Sequence, residues 1–387
     1  MMEYPGDNLT VHLGKRFAEL PAALRQALDQ PQRNPFFCSA FLGALEASGC
    51  VSAAEGWEPH HLWIEQGGEP VFFLPLYRKS HSWGEFVFDQ SWANAYHRYG
   101  MAYYPKLVTA IPFTPSLGPR WWVTPGADHA ALWDLACTQV MAQLDAGKAS
   151  SWHLLFAREP LPGPQSEAMM RQDTQFHWQN RNYRSFDDFL AQMKSRKRKS
   201  IRRERTKVAE QGVTLRRRLG TELNETDWDA FYACYCNTYY ERGMPPYLTR
   251  EFFRLLAESM PQWILMVQAC RDDRVIASAI CLFDQERLYG RHWGAMQAVD
   301  CLHFEACFYQ GIEFCIERGL QSFDPGTQGE HKLLRGFEPV TTRSWHWIAH
   351  SAFRQAIADF VAAEAAHAER YQTQAANYLP YRAEADL

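Results

Sequence analysis

Apolar and polar positions fall into blocks that repeat along the chain. At 61–77 (HLWIEQGGEPVFFLPLY) two apolar runs flank Gly67-Gly68, a pattern that predicts two strands joined by a tight turn. At 263–283 (WILMVQACRDDRVIASAICLF) two further runs flank Asp272-Asp273, and RLYGRHWGA (287–295) extends them to a three-stranded meander. Each meander follows a stretch with helical spacing. The first opens at Asn34-Pro35, read as a cap and a first-turn proline, and ends near Gly49; the second is 248–260. A helix followed by an antiparallel meander, occurring twice, predicts an internal duplication.

Beyond the second meander, 303–319 is apolar on more than one face. It predicts a helix held between a sheet and another layer and stopped by Gly319. A short buried strand (320–323), a polar Gly-rich loop, a strand at 341–350 and a helical tail from Ser351 follow. Helices and a mostly antiparallel meander in one module predict an α+β layered fold. Two segments lie between the halves. The stretch 86–122 is so rich in aromatics, prolines and turn residues that no regular element is expected to cover it, and it is read as an ordered loop lining a site. The stretch 187–211 has no Gly or Pro and starts with acids, which predicts one continuous helix. Phe189, Leu190, Met193, Ile201 and Val208 form its buried stripe, and Lys197 falls near the middle of that stripe, facing a cleft, an inner carboxylate or solvent.

Charge sharpens the interest of that helix. The net charge of the 387 residues is −4, yet 194–218 carries twelve Lys or Arg against Glu204 and Glu210. A local +10 therefore sits on a body of −14. Such a field fits either a solvated helix balancing acidic surface or the phosphates of a polyanion. The length exceeds what one core usually supports, so two domains, or one fold built twice, are expected. No apolar run approaches the roughly 18 residues of a membrane span. The N-terminus has acids and a proline where a signal peptide needs an apolar segment, so a cytoplasmic protein is expected. Ten scattered cysteines without a Cys-x-x-Cys pair read as free thiols, with no metal site implied.

Three stretches carry a resemblance: FDQSWANAYHRYGMAYYPKLVTAIPFTP (88–115), FHWQNRNYRSFDDFLAQMKSRKRKSIRRER (176–205) and RHWGAMQAVDCLHFEACFYQGIEFCIERGLQSFDPGTQGEHKLLRGFEPV (291–340). They resemble a FemAB-like predicted N-acyltransferase family, related to the Fem peptidoglycan aminoacyltransferases and more distantly to the Gcn5-related N-acetyltransferases. The resemblance implies tandem Gcn5-like modules, here 1–175 and 176–387, the second including the basic helix 187–211. It implies direct transfer of an acyl or aminoacyl group from acyl-CoA or aminoacyl-tRNA to an amine, with tRNA a candidate partner for 194–207 and no metal. Gcn5-type modules hold the acetyl-CoA pyrophosphate on an Arg-x-x-Gly-x-Gly/Ala turn. Arg291 and Gly294 match that motif, and its second glycine is missing. A nucleic-acid-binding protein that has lost its chemistry is the alternative from another class.

Acyl transfer needs a neutral amine, a donor to the developing oxyanion and a route for the proton. The loop 324–337 supplies Asp324, Glu330 and His331 as bases and Lys332 and Arg335 as cations, and the resemblance marks Lys332 as the transition-state stabiliser. Glu305, on an otherwise apolar helix, is a further base or else the partner of a buried cation such as Lys197 or Arg291. Arg291, His292, Trp293 and Gln328 are assigned to substrate binding beside Lys197 and Arg335. The family's irregular loop assigns Asp89, Trp92, His97, Arg98, Tyr104 and Lys106 to the acceptor. No nucleophile elbow, phosphate loop, zinc helix or dinucleotide fingerprint is present.

Overall fold

The computed structural model describes residues 2–4, 8–29, 34–163, 167–327 and 329–382. Chain contacts divide it into two compact units, Met1–Asp173 with Thr341–Glu369, and Thr174–Val340 with Arg370–Leu387. The divisions fall inside the strands Met169–Gln179 and Glu338–Ile348 and inside the helix Ser351–Ala376. The segment 341–369, expected in the second module, thus belongs with the first, because Trp345 and Trp347 are buried in the first unit's core and Ile357 and Val361 pack with Trp92 and Tyr96.

In the first unit one sheet is antiparallel throughout, in the order Met2–Tyr4, Leu9–Lys15, His61–Gln66, Glu69–Leu74, Trp122–Val123. The turn at Gly67-Gly68 has both residues at positive φ, as a two-residue hairpin requires. Another set of strands pairs Trp57–Pro59 with Tyr77–Lys79 and that strand with Lys106–Thr109. Lys106–Thr109 runs parallel to Ser151–Leu155, which pairs antiparallel with Glu338–Ile348. The crossover between the parallel strands contains the helix His129–Asp145, capped by the Asp128 carboxylate and packed through Trp133, Val140 and Leu144.

The second unit carries the predicted meander. Strands Thr214–Leu219, Ile264–Arg271, Arg274–Phe283 and Arg287–Ala295 pair in order, all antiparallel, with Asp272 and Asp273 at positive φ in the turn. Ser322–Asp324 then joins parallel to Arg287–Ala295 after a continuous helical crossover over 302–318, which contains the π turn Glu305–Tyr309 and ends at Gly319 with φ 68°. Both units thus contain a parallel strand pair joined by a helix, in keeping with the expected α+β duplication.

Three expectations change. The first helix begins at Ser39 rather than at Pro35, because the Asn34 carboxamide accepts from Phe36 N and makes a local turn there. The stretch 86–122 contains regular elements, the helix Gln90–Arg98 and the strand Lys106–Thr109, fixed by packing that local composition does not encode. The basic helix is two helices, Phe186–Ala191 and Ser195–Glu210. Met193 between them makes a β-bridge to Tyr381, with Lys194 N donating to Pro380 O at 2.9 Å and Arg382 N to Gln192 O at 3.0 Å. The C-terminal segment takes the backbone groups that a continuous helix would have used, while the predicted stripe is buried throughout. Among the described residues no helix is long and apolar enough to cross a membrane.

Candidate functional site

The second unit's two parallel strands pair over three residues, Arg287 to Tyr289 with Ser322 to Asp324, and then part. Pro325 turns the chain away, since it has no N–H to continue the ladder. Opposite, a bulge lies between the Ile280–His292 and Cys281–Gly290 pairs, and Arg291 is its extra residue. The bulge re-aims its side chain, and Arg291 Nη2 donates to Asp324 Oδ2 at 2.9 Å. Asp324 Oδ1 accepts from Gly326 N at 2.9 Å and lies 3.7 Å from His177 Nε2. Burial lowers the His177 pKa below the usual imidazole value, so that ring is neutral at pH 7.

Lys332 completes the cluster. It sits in the 3-10 turn Glu330–Arg335, is 2% exposed, and donates from Nζ to the Gly326 carbonyl at 2.5 Å. Gly326 has φ 94°, a conformation that aims its carbonyl at the ammonium and that an L side chain would strain. Burial pushes the Lys332 pKa down to about 8, with Asp324 pulling back up and Arg291 adding to the fall. The group is an ammonium at neutral pH, one that gives up its proton far more readily than an exposed lysine.

The structure brings Asp324, Arg291 and Lys332 together and places the other predicted residues elsewhere. Glu330 is exposed and accepts from the Tyr371 hydroxyl at 2.7 Å. His331 is exposed, with its ring against Phe304 and Phe308. Glu305 is buried and held by Arg205 at 3.0 Å, so it is the ion-pair member of its two readings, with a cation not foreseen. Arg335 is buried and bonded to Glu204. His292 faces Tyr235 and Phe253, whereas Trp293 lies against His303. Lys197 is half-buried, with no ion-pair partner among the described residues. Gln328 lies outside the described residues.

Gly294 does not form a phosphate turn. It lies within the strand opposite Ser278, and a Cβ there would collide with the Cys234 carbonyl, so the glycine serves the packing of the helix Glu225–Tyr240. The actual turn before the crossover helix, 296–301, has no glycine, and Lys207 and Gln211 of the basic helix bond to its Asp300.

The basic helix has two unlike halves. Arg202, Arg205 and Lys207 pair with Asp187, Glu305 with Glu313, and Asp300. Arg203 has no acid partner among the described residues, and neither do Lys194, Arg196, Lys197, Arg198 and Lys199. The last five gather at the helix N-terminus, where the macrodipole is already positive, an arrangement that costs stability unless an anion is bound.

In the first unit Asp89, Tyr104 and Lys106, three of the predicted acceptor residues, join one hydrogen-bonded network. Lys106 is fully buried and donates to Asp89, to Glu85 at 2.7 Å and to Ser82 at 2.9 Å. Tyr104 bonds Ser82 at 2.8 Å, and Trp92 packs on His153 and His346. His97 and Arg98 point to solvent at the end of their helix. Arg120, not singled out in the sequence, is 1% exposed and donates to the carbonyls of Leu155 at 2.6 Å, Ser116 at 2.6 Å and Pro119 at 2.8 Å. It ties the end of the strand Ser151–Leu155 to the segment 116–119. His177 was missed as well, and its one signal was a histidine in an otherwise apolar strand end.

Known proteins share this architecture. A family model described as FemAB-like, peptidoglycan biosynthesis/recognition, matches residues 16–383. The crystal structure of FemX is 10% identical, with 90% of this chain and all of that one covered at a TM-score of 0.52, which shows the fold. A conserved protein of unknown function from Bacteroides thetaiotaomicron is also 10% identical, with 88% and 99% covered and a TM-score of 0.49. L-PGS from Bacillus licheniformis is 8% identical, with 86% and 98% covered and a TM-score of 0.49. No curated protein matches the sequence. With a model spanning almost its whole length, the chain belongs to the FemAB-like family.

Proposed function

We propose that the second unit is an N-acyltransferase that moves an acyl or aminoacyl group directly from an activated carrier to an amine. The observation that carries this reading is Lys332, an ammonium buried beside Asp324, Arg291 and His177 with a backbone carbonyl as its hydrogen-bond acceptor. When a neutral amine attacks the acyl carbon, a C–N bond forms and the carbonyl electron pair moves to oxygen. Lys332 can exchange the Gly326 carbonyl for that oxyanion, an interaction stronger in the transition state than before it. Collapse breaks the bond to the carrier, and the amine's proton passes through Asp324 to the departing group. The family's peptidoglycan description supports a precursor amine as acceptor.

For the donor, the turn 296–301 counts against coenzyme A in this unit. A pyrophosphate there would meet the Asp300 carboxylate on a backbone with no glycine for close approach. The five cations at the front of the helix, without acid partners among the described residues, support a phosphate-rich carrier, with aminoacyl-tRNA the leading case. The same cations support the second reading, nucleic-acid binding without chemistry. Labelled bulk tRNA titrated at low and physiological salt, with coenzyme A as competitor, separates the donors. Transfer assays of Lys332→Ala separate the two readings: unchanged turnover removes Lys332 from the reaction, and no transfer by the native protein with tight tRNA binding favours the second.

A further inference from the structure

Glu204 is the one acid in 193–207, and it turns away from the cations around it. Arg335 Nη2 donates to both of its carboxylate oxygens, at 2.9 and 3.0 Å, and the Tyr309 hydroxyl donates to it as well. Arg335 also donates from Nε to Tyr309 at 3.0 Å and from Nη1 to the His331 carbonyl at 2.8 Å, with its guanidinium stacked 3.4 Å from the Phe304 ring centre. The carbonyl of His331 belongs to the peptide that leads into Lys332. A carboxylate on the basic helix therefore fixes the turn from which Lys332 reaches Gly326.

Such an arrangement has the form that a coupling needs. One end is a helix whose N-terminal cations, Lys194 to Lys199, make no ion pair among the described residues and lie about one and a half to three turns from Glu204. The other is a single 3-10 turn of six residues. Between them stands a part-buried, charge-assisted ion pair with defined geometry.

We propose that Glu204 is a positioning residue that couples the cationic half of the basic helix to Lys332, so that anion binding at 194–199 and the placement of the Lys332 ammonium change together. The inference rests on the reading of Lys332 as the working cation. It gives the lone acid a regulatory role, in which the catalytic turn is set when the helix is set. By linkage, whatever anion binding does to Lys332, deprotonating Lys332 does in return to anion affinity.

The test follows the lysine itself. Asp324, Arg291, His177, His303, His331 and Cys307 are the titratable or charged groups that face Lys332, and none is altered in the variants. Competitive acetylation of the full-length protein, read by mass spectrometry across pH, gives the midpoint of Lys332 with and without inorganic polyphosphate. In the native protein the midpoint lies near 8 and moves on adding polyphosphate. In Glu204→Gln the turn relaxes, Lys332 gains water, the midpoint rises by about one unit or more, and polyphosphate no longer moves it. Glu204→Asp keeps part of the response, and Tyr309→Phe, which removes one arm only, shows an intermediate shift. In transfer assays Glu204→Gln lowers kcat by about a hundredfold with little change in KM.

A cooperatively folded Glu204→Gln with the native midpoint and the native polyphosphate response overturns the coupling. So does a native midpoint that ignores polyphosphate. Labelling needs no turnover, so an inactive Lys332 or an inactive native protein defeats the transfer reading without deciding this one.

Discussion

Each unit buries a lysine beside its parallel strand pair, and the two lysines are built for opposite ends. Lys106 is surrounded by acceptors: Asp89, Glu85 and Ser82 all take its protons. Burial pulls its pKa down, but the two carboxylates more than offset that, and the net shift is upward. Lys332 is nearly as buried, yet its direct acceptor is a backbone carbonyl, and burial wins. The surroundings differ in the same sense. In the first unit Arg120 commits its guanidinium to the carbonyls of Leu155, Ser116 and Pro119, whereas in the second unit Arg291, Asp324 and Lys332 gather where the parallel strands part. One unit thus holds its buried lysine between carboxylates and the other holds it on a backbone carbonyl with a lowered pKa, which is where chemistry can occur.

The largest effect expected from breaking this comparison is on stability, in the first unit. Lys106→Met leaves Glu85 and Asp89 buried without their cation and should cost about 3–5 kcal/mol in urea unfolding. A loss below about 1 kcal/mol would mean the network is not holding the unit. Lys332→Ala should do the reverse, lowering the transfer rate by about 10²–10³-fold with a cooperative transition retained. If both substitutions unfold the protein alike, the contrast between strut and working group disappears.

The comparison sharpens with pH. As an oxyanion donor Lys332 must be protonated, so transfer should fall as pH rises through about 8. The stability effect has the opposite sign. A lysine whose folded pKa of about 8 lies below the free value of 10.5 leaves the folded state with fewer bound protons between those limits. Unfolding free energy therefore gains from this group as pH rises from 8 toward 10.5, and that gain should vanish in Lys332→Met, measured by urea titration at each pH. Activity that is flat to pH 10 would show that Lys332 acts without its charge.

Much of this architecture is written locally in the chain. The hairpin turns at 67–68 and 272–273, the strand at Arg287–Ala295 and the stop at Gly319 follow from period, turn residues and positive-φ signals. What is not local was not legible. The break at Met193 is made by a strand contact from residues almost two hundred positions away, and Arg291 owes its aim to a bulge. Asp324 and Lys332 could be named as candidates because polar residues crowd a Gly-rich loop. Glu330 and His331 share that loop but face outward, since a 3-10 turn sends neighbouring side chains in different directions. Glu305 could be read as base or ion-pair member, and only the position of Arg205 decides between them.

The smallest effect on the fold, and the cleanest on binding, is expected at the front of the basic helix. Arg196, Lys197, Arg198 and Lys199 make no ion pairs among the described residues, so replacing all four with Ala should leave unfolding within about 0.5 kcal/mol of native. It should instead weaken polyanion binding and flatten its dependence on salt, by about 0.7 to 0.9 in the log–log slope for each phosphate no longer neutralised. Replacing Arg202, Arg205 and Lys207 gives the control, since those cations are engaged with acids of the protein. Their loss should cost stability and leave most of the salt slope in place. If the two sets behave alike, the helix is a uniform solvated cation field and the division into a bound half and an open half fails.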